Sequence, residues 1–283
     1  MSLKPLTHDA SLARPRHQIE AEIARFLELL FAPGDVFEIR APECRDHAGS
    51  RFEYVVSGYY ADAELAASAV ADLETRCSPV AIYVTLNPVD TALLARAANR
   101  LKATPKATTG DRDVLRRRWM LVDLDPVRPP GVSATEAEFR AAHDKALAVM
   151  DILIAEGWPA PLLGLSGNGA HLLFRIDLPA DDNGLLRRVL AGLAQRFDDD
   201  AVKVDRAVHN ASRLTKVMGT MSRKGDEVRG VAGVEDRVHR RAELLRIPDE
   251  IIAVSPELLE RVALPIAPAT TQWHRATGQV GRT

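Results

Sequence analysis

The chain has 283 residues, 46% of them hydrophobic and 27% charged, the balance of an ordinary folded protein with one large domain or two smaller ones sharing a cleft. A formal net charge of -2 and a pI near 6.5 exclude an all-over basic coat, so any nucleic-acid contact has to come from local clusters of Arg and Lys. The two cysteines, Cys44 and Cys77, form no CxxC pair, which excludes a disulfide framework and a cysteine-based zinc site.

Residues 1–16 read as a loose polar lead-in. Over 19–31 the apolar residues Ile19, Ile23, Phe26, Leu27 and Leu30 recur at helical spacing, and Pro33-Gly34 ends that helix. Strand-like runs follow at 36–39 and 52–60, then an alanine-rich helix over 61–76, an apolar run at 80–86 and a short helix at 91–100. Residues 102–113 form a polar loop without a clear period.

The pattern restarts with a compact strand at 119–124, followed by the turn PVRPPG at 126–131. A long helix is expected from about 134 to 157, with Ser133 as cap and Glu136 completing a capping box. Next come 162–165 and 170–176, a hairpin-like pair around SGNG, then a helix at 185–197 and strands at 202–204 and 214–220. Strand, helix, strand, strand, helix, strand suits an α/β (α+β) module with a mixed sheet and helices on one face, ferredoxin-like or RNA-recognition-motif-like. The division expected is a lead-in at 1–16, an N-terminal α/β module at 17–115, the second module at 116–262 and a linker-like tail at 263–283. The N-terminus lacks the apolar core of a secretory signal, and no run of about 18 apolar residues occurs. A cytoplasmic protein with no membrane partner is expected.

Three segments carry chemistry. Asp123 and Asp125 end the strand MLVDLDP and alternate onto one face, roughly 6.6 Å apart. Two converging carboxylates are hard oxygen ligands suited to Mg²⁺ or Mn²⁺. Alone, a DxD is more often two surface aspartates, here with Asp125 capping the turn before Pro126.

The second segment is Ser166-Gly167-Asn168-Gly169-Ala170-His171. Its glycines permit close backbone approach to a ligand, and successive N–H groups can form a nest for phosphate oxygens. Asn-Gly is equally a common hairpin turn needing no ligand, and neither a Rossmann nor a P-loop pattern fits.

The third is Val202-Lys203-Val204-Asp205, followed by Asn210, Arg213 and Lys216, then Arg223 and Lys224. Asp205 ends a strand as Asp125 does, and cations beside a trio of carboxylates suit a site where triphosphate and metal meet. A solvated turn with self-paired charges is the plainer alternative. Arg116, Arg117 and Arg118 precede the DxD strand and are candidates to track a nucleic-acid backbone, as are Arg223 and Lys224; a solvated charged strand entry reads almost as well. The same two readings apply to His239-Arg240-Arg241.

In this order and spacing the segments resemble the catalytic domain of the archaeo-eukaryotic primase superfamily of primase–polymerases. Asp123 and Asp125 match its DxD motif, Ser166 and His171 its serine–histidine element, and Val204-Asp205 its third, acidic motif. The likeness is to primase domains of plasmid, phage and mobile-element replication proteins, through YVTLNPV, RRRWMLVDLDPVRP, GNGAHLLFR and NASRLTKVMGT, and covers roughly 36–248.

The resemblance implies a two-module primase fold and a DNA-directed primase or DNA polymerase acting in replication. It implies metal ligation of two Mg²⁺ or Mn²⁺ ions by Asp123, Asp125 and Asp205, whose carboxylates are the catalytic set. Nucleotide binding would fall to Ser166, Gly167, Asn168, Gly169 and His171, with Arg213 and Lys216. The implied partners are a single-stranded DNA template and primer, NTP or dNTP substrates, and a helicase in the same polypeptide or in trans. Many members carry a zinc element, for which this sequence offers no candidate, so priming itself stays open. Two other classes stay in view: a catalytically inactive DNA-binding replication-initiator module, and a DxD metal-dependent glycosyltransferase, against which the third aspartate counts.

Overall fold

The computed structural model describes residues 14–45 and 52–265, so most of the expected lead-in and tail lie outside the described residues. The first half supplies four strands of a five-stranded sheet, β1 (Phe37–Cys44), β2 (Tyr54–Tyr60), β3 (Tyr83–Thr85) and β4 (Lys102–Ala103). Helices α1 (Arg16–Leu30) and α2 (Ala63–Cys77) cover one face of it. Alternation along β1 explains the layering: Phe37, Ile39 and Ala41 point into the core with Ile23, Phe26 and Leu27 of α1, while Glu38 and Arg40 point to the other face. Asp62 caps α2, its carboxylate accepting the Leu65 amide at 2.9 Å. The helix expected at 91–100 is a shorter 3-10 segment, Thr91–Arg96, begun by the Asp90 side chain.

The second half follows the expected order: β5 (Arg116–Pro126), α3 (Glu136–Ala155), β6 (Leu162–Leu165), β7 (Ala170–Pro179), α4 (Leu185–Phe197) and β8 (Val202–Val204). A further strand, β9 (Leu214–Lys216), precedes the short pair β10 (Met221–Ser222) and β11 (Arg240–Arg241), then β12 (Glu243–Arg246) and α5 (Pro256–Val262). The second sheet runs β12-β6-β7-β5-β8, which over β5 to β8 is the ferredoxin-like order.

Three sequence expectations are corrected here. The second sheet is not mixed, because every one of its strand pairs is antiparallel. Each helix returns the chain one place beyond its neighbour, and a strand running the opposite way fills the gap. The cap of α3 is Thr135, not Ser133: Thr135 Oγ1 accepts the Glu138 amide at 3.2 Å, and Glu138 Oε2 accepts the Thr135 amide at 2.8 Å. Glu138, not Glu136, thus completes the box. The buried Ser133 hydroxyl instead donates to the Lys224 carbonyl at 3.2 Å. Finally, the strand expected at 214–220 within the second module is β9, which joins the first sheet as its edge, antiparallel to β3. The chain thereby ties the two sheets together, and one hydrophobic core runs through both.

Alternation along β5 places the chemistry. Met120, Val122 and Leu124 lie on the α3 side, while Trp119, Leu121, Asp123 and Asp125 share the other face. Trp119 is locked against the first half by its indole N–H, which donates to the Leu30 carbonyl at 3.0 Å. The same face is therefore packed at its start and opens into a cleft at its acidic end.

Candidate active site

A cavity of about 340 Å³ lies between the two sheets. From the second sheet come Asp123, Asp125 and His171, with Ser166 and Asn168 from its β6–β7 turn and Asp205 just past β8; from the first come Pro42, Tyr83, Leu214 and Lys216. Arg128, Arg213, Ser222 and Lys224 supply further walls, with the apolar Leu121 and Val208. The three aspartates, both phosphate-binding candidates Arg213 and Lys216, and the Ser-His pair are thus brought together from segments up to about a hundred residues apart in the chain.

Asp123 on β5 stands opposite His171 on β7 in the strand register. His171 Nε2 is 3.4 Å from Asp123 Oδ1, and its Nδ1 is 3.4 Å from the Thr215 hydroxyl on β9. Asp123 Oδ1 is buried and has no hydrogen-bond partner of good geometry. Burial pushes the Asp123 carboxyl up, but His171, with Lys224 and Arg213 beyond, outweighs it and holds the group below the usual carboxylate range. Asp125 goes the other way: burial and the neighbouring Asp123 push it up to about 6, against the opposing pull of Arg128, 3.8 Å away.

Asp205 enters through its backbone, its amide donating to the Asp123 carbonyl at 2.9 Å, while its carboxylate accepts the Ala207 amide at 2.8 Å. Among the described residues no three His, Cys, Asp or Glu side chains stand close enough to form a ligand set by themselves. Asp123 and Asp125 nonetheless fit a divalent cation: an orphaned buried oxygen beside a like-charged neighbour is the environment that hard cations relieve.

The SGNG segment is a tight turn, in which the Ser166 amide donates to the Gly169 carbonyl at 2.9 Å and the Gly169 amide to Ser166 Oγ at 3.1 Å. Gly167 has φ +100°, and a Cβ there would lie 2.4 Å from Ser222 Cβ. A Cβ on Gly169 would meet the Leu124 carbonyl oxygen at 2.4 Å and Asp125 Oδ1 at 3.2 Å, so this glycine lets the turn pass beside the DxD. Asn168 is engaged internally at both ends of its amide, accepting the Ala134 N–H at 2.9 Å and donating to the Lys224 carbonyl at 3.0 Å. It anchors the turn to the start of α3 and holds the Lys224 segment over the site.

Lys216 is buried, its Nζ donating to the Met221 carbonyl at 2.7 Å and lying 5.6 Å from the Tyr83 ring centroid. Burial, followed by the repulsion of Arg223, Lys224 and Arg241 and against the pull of Glu74, brings its ammonium down to about 7. Tyr83 is pushed up to about 12 by burial and by Asp123. Arg213 is braced by Asn210 Oδ1 at 2.9 Å and the Ala207 carbonyl at 2.9 Å.

The candidate backbone-tracking residues divide. Arg117 is buried, donating to the carbonyls of Ala180 at 2.8 Å and His209 at 2.6 Å and pairing with Asp182 at 3.4 Å. Arg116 pairs with Asp177, and Arg118 with Asp35. Arg223 turns back onto the Pro79 carbonyl at 3.1 Å, while Lys224 lines the cleft. Arg240 is buried over the Phe139 ring, and Arg241 pairs with Glu74 at 3.0 Å. Tyr83 and Arg128 are cleft residues that sequence reasoning missed. Arg128 lies three residues past the DxD in a proline-rich turn, a spacing that carries no signal until the turn folds back on Asp125.

No family model matches the chain, and no curated protein matches it. Among solved structures the chain is similar to primase RepB′, at 13% identity and a TM-score of 0.45, over 86% of this chain and 62% of that one. It therefore spans less than two thirds of that structure's length. No helix among the described residues is long and apolar enough to cross a membrane.

Proposed function

We propose that the chain is a template-directed nucleotidyltransferase of the primase or primase–polymerase type, joining a nucleoside triphosphate to a 3′-hydroxyl on single-stranded DNA during replication of a plasmid, phage or mobile element. The observation that supports this reading is the meeting of Asp123, Asp125 and Asp205 with Arg128, Arg213, Lys216 and Lys224 around one cavity. Carboxylates and cations that shared a cavity only to neutralise each other would pair closely. Here the nearest approach of an Arg or Lys of the cavity to one of its aspartates is Arg128 to Asp125 at 3.8 Å. A polyanionic ligand accompanied by divalent cations satisfies both sets at once.

Asp123 and Asp125, with Asp205 as a further carboxylate, would hold Mg²⁺ or Mn²⁺. When bound, such ions supply Lewis acidity toward the α-phosphate and neutralise charge on the departing pyrophosphate. The protein's own residues then have distinct tasks. Arg213, Lys216 and Lys224 bind and orient phosphate oxygens from different walls, and Ser166 offers a hydroxyl at the turn. His171, held between Asp123 and Thr215, keeps the carboxylate aimed at the cleft and stabilises charge electrostatically. It is not required as a general base.

The test is extension of a primer on a single-stranded template with Mg²⁺ or Mn²⁺, with dNTPs and rNTPs in separate reactions and an unprimed control. Template-dependent products that disappear in Asp123→Ala/Asp125→Ala are expected. Normal DNA binding without product under any of these conditions would overturn the reading and leave an inactive DNA-binding module.

A further inference from the structure

The face of the first sheet that carries Tyr83 and Lys216 continues away from the aspartates. Strand pairing sets five residues in one line across it. Lys216 is opposite Tyr83, Tyr83 opposite Arg40, Arg40 opposite Ser57, and Ser57 opposite Lys102. Directly opposed residues of antiparallel strands share a face, so the line crosses the sheet from β9 to β4. Four strand spacings make that about 19 Å.

A second cavity, of about 210 Å³, lies at the far end of this line. Its walls include Ser57, Tyr59, Arg96, Lys102 and Lys106, and no carboxylate. The three cations are exposed. Elsewhere in the molecule exposed arginines such as Arg16, Arg116 and Arg196 are matched with carboxylates. Arg96, Lys102 and Lys106 have no such partner among the described residues. Arg96 is nonetheless fixed in place, donating to the Tyr59 hydroxyl at 3.3 Å with its guanidinium 5.9 Å from that ring's centroid. Glu38, on this face, is fully buried and neutralised by Arg40 at 2.6 Å. Unopposed positive charge is thus concentrated at one edge of the sheet, on a chain whose net charge is negative.

Cations held together without partners favour an anion. Their alignment with the cleft, about 19 Å away, favours a linear polyanion that reaches both places over a free nucleotide that reaches one. We propose that the cavity beside β4 binds backbone phosphates of a single-stranded nucleic acid whose continuation enters the aspartate cleft. The assignment of that continuation rests on the nucleotidyltransferase reading. The β4 contact itself is sequence-independent, since phosphate contacts position a strand without reading bases.

The test uses the full chain with Arg96→Glu/Lys102→Glu/Lys106→Glu, and Lys102→Gln/Lys106→Gln as a milder variant should the first fail to fold. Fluorescence anisotropy would follow binding of oligothymidylates of about 4 and about 16 nucleotides over a salt series without metal. For the longer strand, affinity is expected to fall at least tenfold in the triple variant. The slope of log affinity against log salt should shrink by about 0.7 for each cation lost. Binding of a labelled nucleoside triphosphate should be unchanged, and the shorter strand, which cannot span both places, should lose less affinity than the longer one.

Unaltered affinity and slope for the longer strand in a folded variant would overturn the proposal. So would inorganic phosphate binding that the variant loses while strand binding stays intact, which would mark a free-phosphate site. Primer extension by the same proteins separates the two readings. Loss of strand binding in a chain that never synthesises keeps this surface and removes the polymerase. Synthesis with strand binding unaffected by the variants does the reverse.

Discussion

Asp123 and His171 face each other across the β5–β7 ladder, 3.4 Å apart, with Thr215 of the other sheet 3.4 Å behind the imidazole. The pair is where the two sheets meet chemically. His171→Ala is expected to weaken nucleotide binding at least tenfold while changing single-strand affinity little. Thr215→Val should give a smaller loss of the same kind, because it removes the contact behind the ring and keeps the ring. Equal losses of nucleotide and strand binding, measured by titration, would count against this placement.

Removing a carboxylate should cost activity and not stability. Asp123→Ala or Asp205→Ala is expected to abolish synthesis. Asp125→Asn is expected to leave the metal-free melting temperature the same or higher, since burial and the neighbouring Asp123 push that carboxyl up to about 6 and so disfavour its charge in the folded state. Calorimetry with and without Mn²⁺ checks this: wild type should gain stability from the ion and the variant should not. Full activity in Asp123→Ala/Asp125→Ala would remove the metal assignment.

The folded-state value of Lys216, about 7, is below its unfolded value. A depressed value of this kind gives stability present above about pH 10, lost as the pH falls toward 7, because the unfolded state binds the proton first. Lys216→Met should therefore stabilise the protein at pH 7 by up to a few kcal/mol, at about 1.4 kcal/mol for each pH unit of displacement. The gain should vanish near pH 10, while triphosphate binding at neutral pH is lost. Denaturant melts at the two pH values read the first effect. A Lys216→Met protein less stable than wild type at both would contradict it.

Gly169→Ala should disable the site by a backbone route. Its Cβ would lie 2.4 Å from the Leu124 carbonyl oxygen, which cannot yield without moving the β5 end that carries Asp125. A loss of about 1–3 kcal/mol in stability is expected together with loss of synthesis. Gly167→Ala should cost a similar amount, through its positive φ and its contact with Ser222. Wild-type activity in Gly169→Ala would show that the turn has more room than this geometry gives it.

The arginine triplet before the DxD strand should split on mutation. Arg117→Ala leaves two carbonyls and Asp182 without their buried partner and should cost about 2–4 kcal/mol. Arg116→Ala removes an exposed pair with Asp177 and should cost under about 1 kcal/mol. Chemical denaturation orders them, and the reverse order would contradict the burial of Arg117.

What the sequence by itself determined was local. Hydrophobic period placed α1 to α4 and the strands from β1 to β3 and β5 to β8, and the βαββαβ order followed from it. Alternation on β5 put Asp123 and Asp125 on one face, and glycine content marked the turn at 166–169. These signals act over a few residues, so one chain suffices to read them. Only the tertiary structure decided which sheet β9 joins, because a three-residue strand has no period strong enough to name its partner. That choice carries Lys216 and Thr215 to the aspartates. The fates of the arginines were equally non-local. Arg117 is spent on carbonyls more than sixty residues away, while Arg128 folds back onto the cleft, and nothing in either neighbourhood distinguishes them. Charge in a sequence says that a partner is needed; long-range packing says whether the protein has already supplied it.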